Sequence, residues 1–247
     1  MTPYYEDDAC TIYHGDCLDI IDGLADPVDL WFTSPPYNMG TTTGGGMHGD
    51  SLAAKSLSGG YESYSDDMPQ DEYDEWQKLA VRSMWAKTSG DGAIAYQHKP
   101  RVQAGRLILP TDYGPRDYLR QIITWDKEFG MNYSASFFLP TSEWIVLWAK
   151  PAWRLRDKSA SQIGNVWRTP PETRGNHPAP FPIGLPTRMI DATTAALICD
   201  PFMGSGTTLR AAKDLGRKAI GIEMDEKYCE MAAKRLVQEV LDFGDAA

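Results

Sequence analysis

Two short stretches of this chain carry residue types that could do chemistry together. The first is Trp31-Phe32-Thr33-Ser34-Pro35-Pro36-Tyr37-Asn38, at the end of the apolar run Val28–Thr33. Two consecutive prolines remove two N–H donors and fix φ, so neighbouring carbonyls are held in place with no competing donor. The turn then offers a hydroxyl (Ser34), a backbone carbonyl (Pro35) and a flat aromatic face (Tyr37). That set is a cradle for a planar amino group. Taken alone, the same residues also describe a rigid Pro-Pro turn with Tyr37 packed in a core.

The second stretch is Asp200-Pro201-Phe202-Met203-Gly204-Ser205-Gly206-Thr207-Thr208, between the apolar run Ala195–Cys199 and a helical period over Thr207–Leu215. Glycines at a strand-to-helix turn let the backbone approach a ligand closely, and the helix start offers free N–H groups to an anionic group. Further on, the run Ala219–Glu223 ends in a carboxylate, where a ribose diol is gripped in nucleotide-type α/β sites. Thr207 stands directly after Gly206 where a phosphate-binding lysine would be, which argues against a nucleotide triphosphatase. A bare glycine-rich turn is also simply a tight connection. With the strand before it and Glu223 after it, the pattern points to a bound adenosine-type cofactor.

Something must hold these two turns side by side. Candidate strands are Cys10–Tyr13, Val28–Thr33, Ala93–Gln97, Gln121–Trp125, Trp144–Trp148, Ala195–Cys199 and Ala219–Glu223. Runs such as Ile-Val-Leu-Trp lack polar alternation, as strands buried on both faces of a parallel sheet do. Candidate helices are Cys17–Leu24, Asp71–Lys87, Leu185–Ala195, Thr207–Leu215 and Asp225–Leu241. In the last, Tyr228, Ala232, Leu236 and Val240 form an i+4 stripe with Asp225 available as N-cap. The alternation predicts an α/β fold with a doubly wound, mostly parallel sheet, and a single domain over residues 1–247. Two segments interrupt it. Residues 39–65 are rich in Gly, Ser and Thr and are expected to be a flexible functional loop. Residues 151–182 are rich in Pro and Arg and are expected to be an irregular insertion at the sheet edge.

Composition narrows the setting. The chain has 247 residues, 42% of them hydrophobic, enough for a sizeable core and too many for a disordered chain. No apolar run approaches a membrane span. Cys10, Cys17, Cys199 and Cys229 are far apart with no C-x-x-C pair, so neither a disulfide framework nor a zinc site is expected, and a reducing, cytoplasmic location is. His14, His48 and His98 show no metal-ligand spacing. The net charge of −10 is unevenly spread: residues 1–75 hold sixteen acids and one base, Lys55. Six bases, Lys150, Arg154, Arg156, Lys158, Arg168 and Arg174, cluster against Asp157 and Glu172. Such a strip can neutralise phosphates on an otherwise acidic protein, or can be no more than a solvated loop.

These motifs resemble those of a known family, the DNA amino-methyltransferases. Thr33-Ser34-Pro35-Pro36-Tyr37 looks like its catalytic motif and Asp200-Pro-Phe-Met-Gly-Ser-Gly-Thr like its S-adenosylmethionine motif. His177-Pro178-Ala179-Pro180-Phe181-Pro182 resembles the segment preceding that motif, and Gly15-Asp16-Cys17-Leu18 the element before the catalytic strand. The order, catalytic motif first, matches the permuted β group. The resemblance spans residues 10 to 230 and implies a circularly permuted seven-stranded methyltransferase sheet. It implies that Asp200, Phe202, Gly204, Ser205, Gly206 and Thr207 cradle the cofactor, with His177 near its methionine end. Glu223 would hold the ribose hydroxyls and Asp16 the adenine amine. Ser34 and the Pro35 carbonyl, with Pro36 completing the turn, would accept from the amino hydrogens of the target base, and Tyr37 would stack on that base once flipped out of the duplex.

The residue types suit that chemistry. An exocyclic amine is a poor nucleophile because its lone pair is delocalised into the ring. Acceptors on both N–H bonds make the nitrogen tetrahedral and aim its lone pair at the sulfonium methyl, so positioning carries the catalysis. No cysteine follows a proline as carbon-5 methylation would require. Thr33-Ser34 and His-Pro-Ala-Pro-Phe-Pro match the cytosine-N4 form; Asn38 keeps adenine-N6 open. Residues 151–176 occupy the family's target-recognition position, making Arg154, Arg156, Lys158, Arg168 and Arg174 candidates for DNA contacts. Asp126 and Lys127 are open candidates for the pocket wall. Double-stranded DNA is the implied partner, with a homodimer and a cognate restriction endonuclease also implied. An RNA or protein-glutamine methyltransferase fits the motif order and Ser34 less well. A non-catalytic DNA-binding protein would have no reason to keep the acceptor, aromatic and cofactor residues together.

Overall fold

The computed structural model describes residues 1–38, 68–103, 105–130, 133–170 and 181–238. The expected loop 39–65, His48, Arg174, His177, the end of the 151–176 insertion and the tail of the last helix lie outside them.

One sheet organises the chain. Its strands are β1 (Tyr5–Glu6), β2 (Cys10–His14), β3 (Val28–Thr33), β4 (Thr88–His98), β7 (Leu119–Asp126), β8 (Ser142–Ala149), β9 (Val166–Arg168), β10 (Leu197–Asp200) and β11 (Lys218–Glu223). They lie in the order β1-β2-β11-β10-β3-β4-β8-β7-β9. β2, β11, β10, β3 and β4 are mutually parallel, and β8 runs against both β4 and β7. The hairpin β5 (Arg101–Gln103) and β6 (Arg106–Ile108) forms a separate two-stranded sheet. The expectation of seven strands therefore meets a nine-stranded sheet. The two additions, β1 and β9, are two and three residues long at the edges, too short to show a period in sequence.

Alternation along the strands sorts side chains to two faces. On β3, Leu30 and Phe32 join one buried cluster while Val28 and Trp31 join the other. The first cluster is covered by α3 (Gly184–Asp191), α4 (Thr207–Asp214) and α5 (Glu226–Val237), through Leu185, Met189, Leu209, Ala212, Ala232 and Leu236. The second is covered by α1 (Cys17–Ile21) and α2 (Gln70–Lys87), through Ile20, Ile21, Tyr73, Val81 and Met84. Helices on both faces make the sheet doubly wound, as the alternation of periods predicts. Asp225 does cap α5, accepting from Lys227 N at 2.9 Å. The helix expected over Leu185–Ala195 stops at Asp191, because the Thr193 hydroxyl and amide both bond back to the Ile190 carbonyl at 3.0 Å. Among the described residues no helix is long and apolar enough to cross a membrane.

Packing on the α2 face is tight enough to test. A Cβ placed on Gly114 would lie 2.2 Å from the ring of the fully buried Trp148. Gly114→Ala is therefore expected to lower the unfolding free energy by about 2–3 kcal/mol, read from chemical denaturation midpoints at constant slope.

Candidate functional site

Parallel pairing brings the described residues of the two turns, with Asp16 and Glu223, onto one edge of the sheet, the edge where α/β sheets bind ligands. β2 ends before Asp16, β3 before Ser34, β4 in Gln97 and His98, β10 at Asp200 and β11 at Glu223. Because β8 runs the other way, its start adds Glu143, paired with Trp125 across from Lys127.

The proline turn is anchored from below. The Pro36 carbonyl accepts from the Tyr73 hydroxyl at 2.8 Å and from Gln77 Nε2 at 3.4 Å. Among the described residues the carbonyl of the buried Pro35 accepts no hydrogen bond. Ser34 Oγ lies 3.2 Å from the Tyr37 hydroxyl, which reaches Gln97 Oε1 at 2.7 Å and Glu143 Oε2 at 3.1 Å. Tyr37 packs its ring on His98, 4.6 Å between centroids, with the Lys99 ammonium 5.2 Å from the ring centre. His98 is buried, which pushes its imidazole down to about 3; its Nδ1 lies 2.9 Å from the Lys99 carbonyl and its Nε2 2.8 Å from the Tyr73 hydroxyl.

The glycine turn is built by backbone conformation. Gly206 has φ +78°, and a Cβ there would sit 2.9 Å from Ala232 Cβ, so both strain and space require glycine. Glu223 is largely buried and each oxygen accepts one backbone bond: Oε2 from Gly204 N on this turn and Oε1 from Asp225 N at the start of α5, both at 2.9 Å. Burial raises its carboxyl above the usual range, against the lowering by those two amides. Each oxygen keeps a lone pair for a diol. Gly15 N bonds the Glu223 carbonyl at 2.9 Å, which brings Asp16 alongside; the Asp16 carboxylate caps α1 through Leu18 N at 2.8 Å. Phe202 meets Trp76 edge to face at 5.5 Å, giving the turn an apolar wall. Ser205 is half-buried at the turn, and the Thr207 hydroxyl accepts from Arg235 at 3.0 Å, leaving its backbone to the turn.

Asp200 begins the glycine turn at the end of β10. It is fully buried and its oxygens accept from Thr33 Oγ1 and Thr208 Oγ1, each at 2.7 Å, and from Phe202 N at 3.1 Å. Its bonds tie the end of β3 to the glycine turn, so it joins the two sites. Burial pushes its carboxyl up to about 6, despite the three donors. Since the folded form binds its proton more tightly than the unfolded chain does, this contribution to stability is full below pH 4 and is lost as pH rises through about 6. Asp200→Asn keeps the shape and removes the titration. It is expected to flatten the pH 4–6 part of the stability curve, by as much as about 3 kcal/mol, in denaturation at several pH values.

The basic strip is divided by the direction of β8. Leaving that strand at Ala149, the chain emerges at the opposite edge from Ser34: Lys150 N bonds the Gly92 carbonyl, and Arg156 ties to Asp191 Oδ1 at 2.8 Å and the Asp191 carbonyl at 2.7 Å beyond α3. Arg154 donates to the carbonyls of Pro151 and Trp153, and Lys158 is exposed on the same stretch. Those three are displaced from the site because an antiparallel strand returns the chain to the wrong end. Arg168, on β9 beside Asp126, is back at the site edge and exposed.

Sequence reading passes over Gln97 and Glu143 and leaves Lys127 undecided. The available signal is a polar residue at the very end of an apolar strand, Gln97 after Ala93–Tyr96 and Glu143 before Trp144. Tyr73 and Trp76 lie at helical spacing and read as core.

A sequence profile of the DNA methylase family matches residues 28–234. The type II methyltransferase M2.MboI of Moraxella bovis is 29% identical over 257 residues, covering 95% of this chain and 91% of that protein. M.ScaI of Streptomyces caespitosus is 28% identical over 285 residues, covering 96% and 84%. Among solved structures, the PvuII DNA methyltransferase (cytosine-N4-specific) superposes with a TM-score of 0.72 at 19% identity, over 97% of this chain and 90% of that one. A putative DNA modification methylase of Thermus thermophilus, complexed with S-adenosyl-L-methionine, gives 0.64 at 21% identity, over 94% and 95%. Those likenesses establish the fold, and the profile match contains both turns; the chain belongs to the DNA methylase family.

Proposed function

We propose that this protein moves a methyl group from S-adenosylmethionine to the exocyclic amine of a base flipped out of double-stranded DNA, with the N4 amine of cytosine as the favoured target. The observation that carries this reading is the meeting, at one sheet edge, of the Ser34–Tyr37 turn with the Gly204–Gly206 turn and Glu223, joined through Asp200.

The residues present fit the cofactor. Glu223 retains lone pairs for a ribose diol, Gly206 supplies the left-handed residue that lets the turn pack against α5, and Phe202 with Trp76 forms an apolar wall. When bound, S-adenosylmethionine supplies a methyl group on a sulfonium, an electrophile needing no covalent enzyme intermediate. Ser34 Oγ and the Pro35 carbonyl accept the two amine hydrogens and turn the nitrogen lone pair toward that methyl. Tyr37 lies against the base and the anchored Pro36 carbonyl keeps the turn from moving. As the amine becomes cationic both acceptor bonds strengthen, so the site favours the transition state over the ground state.

Ser34 in place of an acidic or amide acceptor supports the cytosine-N4 choice. The acceptor turn preceding the glycine turn supports the circularly permuted order. Among the described bases of the 151–176 strip Arg168 returns to the site edge, which supports a phosphate contact from it. The four cysteines are free and buried, which supports a cytoplasmic setting. The same reading includes a homodimer on DNA and a partner endonuclease, supported by the family resemblance and the type II names of the relatives. Incubation with tritiated S-adenosylmethionine and equal amounts of duplex DNA, RNA and bulk protein tests it. Label is expected in DNA; label in RNA or protein alone contradicts the reading.

A further inference from the structure

A serine hydroxyl both donates and accepts, so it serves as an acceptor for an amine only if its own hydrogen is engaged elsewhere. In this site that engagement has a traceable origin. Glu143 is a buried carboxylate at the start of β8, with the Lys127 ammonium 2.6 Å from Oε1 as its counter-charge. Its Oε2 accepts from Gln97 Nε2. That bond turns the Gln97 amide so that Oε1 faces the Tyr37 hydroxyl at 2.7 Å. Glu143 Oε2 itself stands 3.1 Å from the same hydroxyl. Both neighbours can only accept, so the single phenol hydrogen goes to one of them. The remaining contact, Ser34 Oγ to the Tyr37 hydroxyl at 3.2 Å, must then run from serine to tyrosine.

We infer that Glu143 is a positioning residue that fixes the direction of this chain of hydrogen bonds, through Gln97 and Tyr37, so that Ser34 presents lone pairs rather than a hydrogen to the target amine. The inference rests on the proposed role of Ser34 as amine acceptor. Burial and the Glu143 charge also hold the Tyr37 phenol well above the usual tyrosine range, which keeps its hydrogen in place. With an amide at 143 the direction is no longer imposed. The new NH2 can donate to Gln97 or to Tyr37, the phenol hydrogen can turn to Ser34, and the serine hydrogen then points at a group that must donate.

Single-turnover methyl transfer to duplex DNA, measured for wild type, Glu143→Gln, Ser34→Ala and the double variant, tests this. Glu143→Gln is expected to slow transfer about tenfold to thirtyfold, a hydrogen-bond-sized loss, with dissociation constants for cofactor and DNA within about twofold of wild type. In the Ser34→Ala background the same change is expected to cost nothing further, because there is no hydroxyl left to direct. Tyr37→Phe, which removes only the phenol oxygen, is expected to reproduce both results and covers a Glu143→Gln protein that fails to fold. A general structural role would instead multiply the losses and weaken binding. Multiplied losses, or full activity in Glu143→Gln, overturn the inference while leaving the methyltransferase reading intact. A wild type that cannot methylate DNA overturns both.

Discussion

Ser34→Ala is expected to reduce the single-turnover rate of methyl transfer about a hundredfold while leaving cofactor affinity within twofold. The size follows from charge. In the ground state the bond from a neutral base amine to Ser34 Oγ is an ordinary one. As the methyl arrives the nitrogen becomes cationic, and the bond acquires the strength of a charge-assisted one. Alanine removes that gain and leaves one amine hydrogen unpaired in a pocket whose other polar groups, Tyr37, Gln97 and Glu143, are already committed to one another. The cofactor turn lies across β10 and is untouched, so binding is preserved. Isothermal calorimetry beside rapid-quench kinetics separates the two quantities. Equal losses in affinity and rate would place Ser34 in the scaffold rather than at the reacting nitrogen.

Glu223→Gln is expected to raise the dissociation constant for S-adenosylmethionine about thirtyfold to a hundredfold. Both oxygens are engaged in the protein before any diol arrives, by Gly204 N and Asp225 N. An amide can satisfy only one of those donors and must turn its NH2 toward the other. The cost therefore has two parts: a weaker grip on the ribose, and a glycine turn loosened at Gly204 or a helix start loosened at Asp225. Thermal melting should show the second part without cofactor, as a drop of several degrees. An unchanged dissociation constant would show that the diol is held elsewhere.

The extent to which the sequence discloses all this follows the range of the interactions. Ser34, Gly206 and Glu223 are visible because each sits on a local strand–turn or strand–turn–helix unit whose composition is complete within about ten residues. The doubly wound arrangement is visible for the same reason, since continuous apolar strands alternate with helical periods. What escapes is set by strand pairing. Gln97, Lys127 and Glu143 come from β4, from just after β7 and from β8, and only the antiparallel insertion of β8 between its neighbours brings them together. The same reversal carries Arg154 and Arg156 to the far edge while Arg168 returns to the near one. Asp200 is legible as the start of a turn. Its partnership with Thr33, on a strand 167 residues earlier, is not.

The most direct test of the central claim is the identity of the methylated nucleoside. Unmodified duplex DNA would be incubated with the wild-type protein and labelled S-adenosylmethionine, digested to nucleosides and resolved by chromatography and mass spectrometry. Label in N4-methylcytosine, and its loss in Ser34→Ala, is the predicted result. Label in N6-methyladenine would contradict the assignment of the base, and label in 5-methylcytosine would contradict the amine chemistry altogether.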